Sequence, residues 1–234
     1  ITKKTFSIRK TKTIVEDLNR AFNLATHGKW GPVHVNIPRD VLAGMSRFDS
    51  FKTEYKIENK KIDHDDLERI ILLLEKSSKP VVICGAGIKN SNAQNEVIYL
   101  SQKLNIPLVS SAGHGDVIPF EYELYAGQMG PRGNQLASHL VKEADLILAI
   151  GTRLGFNSTF YSYENISKSA KIIQVDIDPI SLGRYFPIEL GINIDAKKFL
   201  ENINSLIIQK DFENNNKIWV ENFLNEKDCY YKKR

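Results

Sequence analysis

The sequence predicts an α/β fold built on a doubly wound, mostly parallel sheet of about five or six strands. Short, continuous apolar runs alternate along the chain with longer stretches whose apolar residues recur at helical spacing. Continuous apolar strands are typical of parallel sheets that helices cover on both faces. The composition agrees, because 42% of the 234 residues are hydrophobic and 26% are charged, values that are ordinary for a chain with a packed core.

Residues 1–45 hold one predicted helix and one predicted strand. Thr13 and Glu16 have the spacing of a capping box, and apolar residues at helical spacing follow them. Residues 31–41, GPVHVNIPRDV, predict a short strand. Residues 46–62 show no sustained periodicity and are rich in polar residues, which indicates a linker and a domain boundary.

Residues 63–210 carry the alternation of helices and strands and are predicted to be one Rossmann-like domain. Helices are expected after Asp63, Ser91 and Asp195, and a further helix over 135–144. The predicted strands are 81–84, 107–110, 146–150, 172–176 and 188–194. Residues 211–234 contain a helical pattern of aromatic residues and are predicted to be a connector.

Charge and cysteine content exclude several classes of function. The net charge is +4, but eight basic residues and no acidic one lie in residues 1–12 and 232–234, and acidic residues outnumber basic ones by four in between. Because no basic stripe is interleaved with aromatics, we expect no nucleic-acid partner. No apolar run is long enough to predict a membrane span. The two isolated cysteines, Cys84 and Cys229, suit a reducing cytoplasm, with Cys84 a buried apolar side chain.

Candidate binding residues are sought after the strands, because open parallel sheets bind ligands beyond the carboxyl ends of their strands. Gly85, Ala86 and Gly87 follow the first strand of the domain, and glycines there allow the backbone to approach a phosphate. However, Asn90 occupies the third glycine position of the dinucleotide-binding fingerprint. The alternative is that these glycines only turn the strand into the next helix.

Two arginines stand beside glycines after later elements. Arg132 lies between Gly130 and Gly133, separated from the first by a proline, and Arg153 follows Gly151 by two residues. An arginine in such a place can bind a diphosphate through two parallel hydrogen bonds. The alternative for each is a surface arginine that pairs with a nearby acid.

Asp176 and Asp178 end another strand, where a carboxylate could accept hydrogen bonds from ribose hydroxyls. Asp178 precedes Pro179 and could instead cap the next helix. The five histidines show no metal-ligand spacing, and neither a phosphate-binding P-loop nor a GxSxG nucleophile motif is present. The sequence therefore indicates a cofactor-binding or structural domain without a catalytic set of its own.

Five motifs, taken in order, resemble the central domain of thiamine-diphosphate-dependent enzymes of the acetolactate synthase and pyruvate oxidase group. The motifs are GPVHVNIPRDV (31–41), KPVVICGAG (79–87), GPRG (130–133), ADLILAIGTRL (144–154) and KIIQVDIDP (171–179). The resemblance implies that residues 1–45 are the end of a pyrimidine-binding domain and that 211–234 lead toward a diphosphate-binding domain. It also implies partners in those two domains of the same protein and a homodimer or homotetramer.

The resemblance implies a fragment of a carboligase or lyase acting on 2-oxo acids. The alternatives are a sulfoacetaldehyde acetyltransferase-like enzyme and a non-catalytic nucleotide-binding or structural module. The parent protein would use thiamine diphosphate and magnesium, but the fragment itself is not expected to catalyse a reaction. In the family, the glutamate that activates thiamine diphosphate belongs to an earlier part of the pyrimidine-binding domain, which these residues do not include. The family's metal and diphosphate motif begins Gly-Asp-Gly, whereas here Gly115 and Asp116 are followed by Val117.

The resemblance also implies that the central domain either has a structural role or binds FAD or ADP. The sequence departs from the synthase pattern at Arg132, where synthases carry histidine, and at 156–159, where they carry an acidic pair and an arginine. The candidate cofactor-binding residues are Gly85, Ala86, Gly87, Gly130, Arg132, Gly133, Gly151, Arg153, Asp176, Ile177 and Asp195.

Overall fold

The computed structural model describes residues 1–47, 61–210, 212 and 215–232. The chain divides into two compact units, Ile1–Lys60 and Lys61–Arg234. Most of the predicted linker 46–62 lies outside the described residues. The family identity of 1–45 and the role of 211–234 as a connector stay predictions.

The first unit pairs two short parallel strands beside helices. Its elements are β1 (Thr5–Ser7), α1 (Ile14–Thr26), β2 (His34–Asn36) and α2 (Arg39–Ala43). The predicted capping box does not form, because the Thr13 side chain donates to the Lys10 carbonyl at 3.1 Å instead of accepting from the helix. The predicted helix and strand are both present, and β1, only three residues long, was not predicted.

The second unit contains a six-stranded sheet in which every strand pair is parallel. Its strands are β3 (Pro80–Cys84), β4 (Leu108–Ser110), β5 (Tyr125–Gln128), β6 (Leu146–Ile150), β7 (Lys171–Val175) and β8 (Leu190–Ile192). Their order is β5-β4-β3-β6-β7-β8. Because the order reverses between β3 and β6, the sheet is doubly wound, with its topological switch point between these two strands. The predicted fold class is confirmed.

Helices connect these strands, and polar side chains begin several of them. The helices are α3 (His64–Lys76), α4 (Ala86–Asn90), α5 (Gln94–Leu104), α6 (Gln135–Glu143), α7 (Phe156–Thr159), α8 (Ala196–Gln209) and α9 (Lys217–Lys232). Asp63 and Asp195 cap α3 and α8 as predicted, each accepting from backbone N–H groups. Ser91 does not cap α5, because its hydroxyl donates to the Gly87 carbonyl at 2.7 Å, at the end of α4.

Apolar side chains cover both faces of the sheet. Val82 and Cys84 point into one buried cluster with α3, α5 and α8, whereas Val81 and Ile83 point into the other. Val220 and Phe223 of α9 are buried in the second cluster, although the sequence placed them in a connector. Each fully buried aliphatic side chain contributes roughly 1.5–3 kcal/mol. None of the described helices has the length and apolarity needed to cross a bilayer.

Candidate functional site

The switch point is formed by the backbone after β3 and after β6, where three of the predicted glycines meet. The Gly85 N–H donates to the Ile150 carbonyl at 2.9 Å, and the Gly87 N–H donates to the Gly151 carbonyl at 3.0 Å. A Cβ built on Gly87 would lie 2.5 Å from the Gly151 Cα, and one on Gly85 would lie 2.3 Å from the Gly151 carbonyl oxygen. The glycines therefore allow two loops to touch.

This packing changes how the glycine loop can be interpreted. The amides of Gly85 and Gly87 already donate to protein carbonyls, so they are not free donors for a phosphate. Ala86 begins α4, which is only five residues long. Contact between these residues and a ligand stays a prediction. The structure gives a different reason for the glycines, which is the close contact between the two loops.

The GPRG stretch forms a tight turn after β5. Gly130 has a φ of +103°, and the Gly133 N–H donates to the Gly130 carbonyl at 2.8 Å. A Cβ on Gly133 would lie 2.2 Å from the Gln128 carbonyl oxygen. Arg132 is exposed, and no carboxylate of the described residues pairs with it. The turn thus holds an unpaired guanidinium at the carboxyl edge of the sheet.

Arg153 lies in the loop between β6 and α7, where the backbone is strained. Leu154 in this loop, and Phe160 and Tyr161 directly after α7, all have φ near +50°, a left-handed conformation that is unfavourable for residues with side chains. The Thr159 hydroxyl holds this loop by donating to the Leu154 carbonyl at 3.1 Å. Arg153 itself is exposed and forms no ion pair with the described acids.

The acidic residues after β7 and β8 bond to nearby backbone. The Asp176 carboxylate accepts from the Asp178 N–H at 2.9 Å, and Asp178 accepts from the Ile180 N–H at 3.1 Å. Asp178 therefore caps the following turn of 3-10 helix, the alternative that the sequence left open. Asp195 accepts from two N–H groups at the start of α8. Ile177 is 38% exposed beside Asp176.

The predicted site residues all lie after strands of one sheet, but they do not form a single contact group. Parallel neighbours are spaced about 4.8 Å apart, so the ends of β5 and β8, five spacings apart, are separated by roughly 24 Å. The turn at Gly130 nevertheless reaches the helix after β6, because a Cβ on Gly130 would lie 2.7 Å from the Asn157 carbonyl oxygen. Arg153 and Asp176 follow adjacent strands.

Sequence reasoning missed a buried glutamine in β7 that joins two loops of this edge. Gln174 is 2% exposed; its Nε2 donates to the carbonyls of Thr152 and Ser181 at 3.0 and 3.1 Å. Its Oε1 accepts from the Gly183 N–H at 2.9 Å. Thr152 and Gly183 directly precede Arg153 and Arg184. A polar residue inside the apolar run KIIQV was the signal that could have identified it.

Sequence reasoning also missed a pair of tyrosines near these arginines. The rings of Tyr161 and Tyr185 stack with centroids 4.4 Å apart, and the Arg184 guanidinium lies 5.3 Å from the Tyr185 centroid. The hydrogen bond with Tyr161 lowers the pKa of Tyr185, and the positive charges of Arg184 and Arg153 lower it further. The same hydrogen bond raises the pKa of Tyr161.

The described residues do not fit a thiamine diphosphate and magnesium site. Asp116 pairs with Lys89, which lowers the pKa of Asp116. Throughout the described ranges, no cluster of three or more His, Cys, Asp or Glu residues could hold a metal ion. Burial raises the pKa of the Cys84 thiol, which keeps it protonated and unreactive. No catalytic step is therefore assigned to these residues.

The parallel sheet and its switch point place the second unit in the class of doubly wound α/β domains. Domains of this class bind ligands at the carboxyl edge of the sheet, where the candidate residues lie. Residues 67–203 match the family described as "Thiamine pyrophosphate enzyme, central domain". Because the match covers more than half of the 234 residues, the chain belongs to this family. The resemblance seen in the five motifs is confirmed.

Two kinds of relative are similar to this chain. A probable acetolactate synthase large subunit of Methanocaldococcus jannaschii is 30% identical over 94% of this chain and 38% of its own length. A sulfoacetaldehyde acetyltransferase of Rhodobacter capsulatus is 31% identical over 81% of this chain and 32% of its own length. A probable sulfoacetaldehyde acetyltransferase of Rhizobium meliloti is 33% identical over 84% of this chain and 33% of its own length. The chain thus spans less than two fifths of these relatives.

Proposed function

We propose that this chain is the central domain of a thiamine-diphosphate-dependent carboligase or lyase that acts on 2-oxo acids, as in acetolactate synthases. The observation that carries the proposal is the family match over 67–203 together with similarity to a probable acetolactate synthase large subunit over 94% of the chain. In the proposed protein, pyrimidine- and diphosphate-binding domains supply thiamine diphosphate and magnesium binding. The role of this chain is then structural, nucleotide-binding or both.

A sulfoacetaldehyde acetyltransferase is the second candidate. It is supported by the relatives of that name, one of them 33% identical, and by Phe156–Thr159, which replace the acidic pair and arginine of the synthase pattern. The proposed assembly in either case is a homodimer or homotetramer. The proposed compartment is the cytoplasm, which is consistent with two free cysteines.

One experiment separates these enzymes from a module without catalysis. The complete reading frame that contains these residues is purified with thiamine diphosphate and magnesium and supplied with pyruvate, or with sulfoacetaldehyde and phosphate. Cofactor-dependent condensation of pyruvate supports the first candidate, and release of sulfite supports the second. Turnover of neither substrate by a folded sample would favour the non-catalytic module.

We also propose that the carboxyl edge of the sheet binds FAD or ADP through Arg153 and the acids after β7 and β8. Arg153 is exposed and lies one strand from Asp176, so a diphosphate on the guanidinium would leave a ribose near this carboxylate. The amides of Gly85 and Gly87 donate elsewhere. The proposal therefore rests on side chains rather than on the glycine loop.

Calorimetric titration of the 234-residue chain with ADP and FAD tests nucleotide binding. A charged hydrogen bond contributes roughly 1.5–3 kcal/mol, so Arg153→Gln should weaken binding by about 10- to 150-fold. Arg20→Gln, which removes a guanidinium from a helix of the first unit, is the matched control and should change nothing. A substitution at Gly87 is unsuitable, because it would disturb the contact with Gly151. Binding of neither nucleotide would overturn this part of the proposal.

A further inference from the structure

Five aromatic side chains form one continuous surface on the second unit. The Phe156 ring centroid lies 4.8 Å from that of Phe160 and 5.5 Å from that of Tyr161. The Tyr161 ring in turn stacks on Tyr185 at 4.4 Å. Tyr163 packs edge-on against the residue that follows Tyr185, at 5.4 Å. These side chains are named here the aromatic patch, which consists of Phe156, Phe160, Tyr161, Tyr163 and Tyr185.

Much of the aromatic patch is in contact with solvent. Its two phenylalanines are 54% and 46% exposed, and Tyr161 and Tyr163 are 49% and 44% exposed. An aromatic side chain has roughly 150–250 Å² to bury, so these four leave roughly 300–500 Å² uncovered. A stable interface buries about 800 Å² on each partner, and the four rings therefore offer roughly half of that area. Contiguous apolar surface of this extent is typical of protein–protein contacts.

The backbone after α7 holds the rings in this exposed arrangement. Phe160 and Tyr161 have φ of +51° and +55°, in the left-handed region. The Thr159 hydroxyl accepts from the Tyr161 N–H at 3.1 Å, and the Thr159 carbonyl accepts from the Asn165 side chain at 3.1 Å. Strained backbone that its surroundings hold in place is concentrated at functional sites. A preorganised surface also loses less conformational entropy when it binds a partner.

Unpaired charges of both signs border the aromatic patch. The Arg184 guanidinium lies 5.3 Å from the Tyr185 ring centroid, and Glu164 directly follows Tyr163 in the chain. Both charged residues are exposed, and neither forms an ion pair within the described part of the chain. A partner of one charge sign would satisfy only one of them. In a two-fold dimer, Arg184 of each copy can face Glu164 of the other, because every residue pair occurs twice.

We propose that the aromatic patch is a contact surface between two copies of this chain. Two-fold symmetry brings the patch of one copy onto that of the other, where aromatic rings favour offset stacking or edge-to-face contact. Aromatic residues are enriched at the centre of protein interfaces, and charges at the border select the partner and its register. The proposal names a surface for the assembly proposed above and rests on that proposed function only for the number of copies.

Sedimentation velocity of the 234-residue chain measures this association. The chain should be dimeric at about 100 μM and should dissociate on dilution. Phe160→Asn removes an exposed ring from both copies and should raise the dimer dissociation constant about tenfold or more. Asparagine tolerates the left-handed backbone at this position, so the loop should keep its conformation.

Phe120→Asn is the matched control for the loss of a ring. Phe120 is 63% exposed, and its ring contacts Tyr231 instead of the aromatic patch. The dissociation constant of this variant should stay within about twofold of that of the parent chain, as expected for a surface substitution away from the interface.

Charge reversal tests the two-fold pairing. Arg184→Glu and Glu164→Arg should each weaken the dimer several-fold at low ionic strength, because each variant brings like charges together. The double variant again places opposite charges across the interface, and its dissociation constant should return to within about threefold of that of the parent chain. Because the two residues form no ion pair within one copy, such a rescue reports contact between copies.

Each outcome decides for or against the proposal. A dimer that Phe160→Asn weakens and that the double charge reversal restores supports it. A chain that stays monomeric up to about 100 μM leaves the patch to another occupant, such as a further domain of the same protein, and overturns it. A dimer that ignores Phe160→Asn, that Phe120→Asn weakens equally, or that the double reversal does not restore also overturns it. The turnover assay of the complete reading frame does not depend on these variants, so the two proposals fail separately.

Discussion

Three glycine-to-alanine substitutions test the tight contact between the loops after β3 and β6. Gly87→Ala would place a Cβ 2.5 Å from the Gly151 Cα, where carbon atoms normally lie about 3.5–4.0 Å apart. Backbone atoms occupy this position, so the loops must separate by about 1 Å, and overpacking of this kind costs roughly 1–3 kcal/mol. Gly113→Ala is the matched control, because its φ is +86° but nothing lies within 4 Å of the new Cβ. Gly113→Ala should therefore lower the free energy of unfolding only through its left-handed backbone, by about 1–2 kcal/mol.

Gly151→Ala combines both costs, since Gly151 has a φ of +61° and its Cβ would lie 2.5 Å from the Gly87 Cα. We expect a loss of roughly 2–5 kcal/mol, the sum of the steric and conformational terms.

Trp219 can report on the second unit alone, because its indole N–H donates to the carbonyl of Pro80, the first residue of β3. In a Trp30→Phe background it is the only tryptophan, and urea unfolding followed by its fluorescence gives the free energy of each variant. Unchanged stability in Gly87→Ala would refute the close contact. A Gly151→Ala cost no larger than that of Gly113→Ala would refute the combined effect.

Three further predictions concern the buried glutamine, a tyrosine and the cysteines. Gln174→Leu leaves two carbonyls and one amide without their partner and should cost about 3 kcal/mol in urea unfolding; a cost below about 1 kcal/mol would contradict the bonding. In an alkaline absorbance titration, Tyr185 should ionise below the usual tyrosine range, and Arg184→Gln should raise its pKa because a positive charge is lost; an unchanged titration would contradict the contribution of Arg184 to the lowered pKa. A thiol reagent should label exposed Cys229 in the folded chain and buried Cys84 only after denaturation, and early labelling of Cys84 would contradict its burial.

The fold could be predicted because its strands and helices are encoded locally. The apolar run that became β6 is five residues long and buried throughout, and Asp195 caps α8 as its position suggested. β5 was missed because its sequence, YAGQ, contains a glycine and too few apolar residues to stand out. The burial of Phe223 of α9 against the sheet could not be predicted from the sequence, because this contact depends on tertiary packing.

The candidate site was only partly predictable, because it depends on residues far apart in the chain. The position of Arg153 after β6 followed from the motif alone. The structural need for glycine at position 87 could not be predicted from the motif, because the contact with Gly151 joins loops that are 64 positions apart in the chain. The stacking of Tyr161 on Tyr185 likewise depends on the pairing of β6 with β7, which places their loops side by side.

Chemical-shift mapping tests most directly whether the carboxyl edge of the sheet is the ligand-binding edge. The isotope-labelled 234-residue chain is titrated with ADP, and amide shifts are followed for each strand end. We expect the largest shifts after β6 and β7, at residues 151–155 and 176–178, with small shifts at the opposite ends of the same strands. Shifts confined to the opposite edge or to the first unit, or no shifts at all, would contradict this expectation.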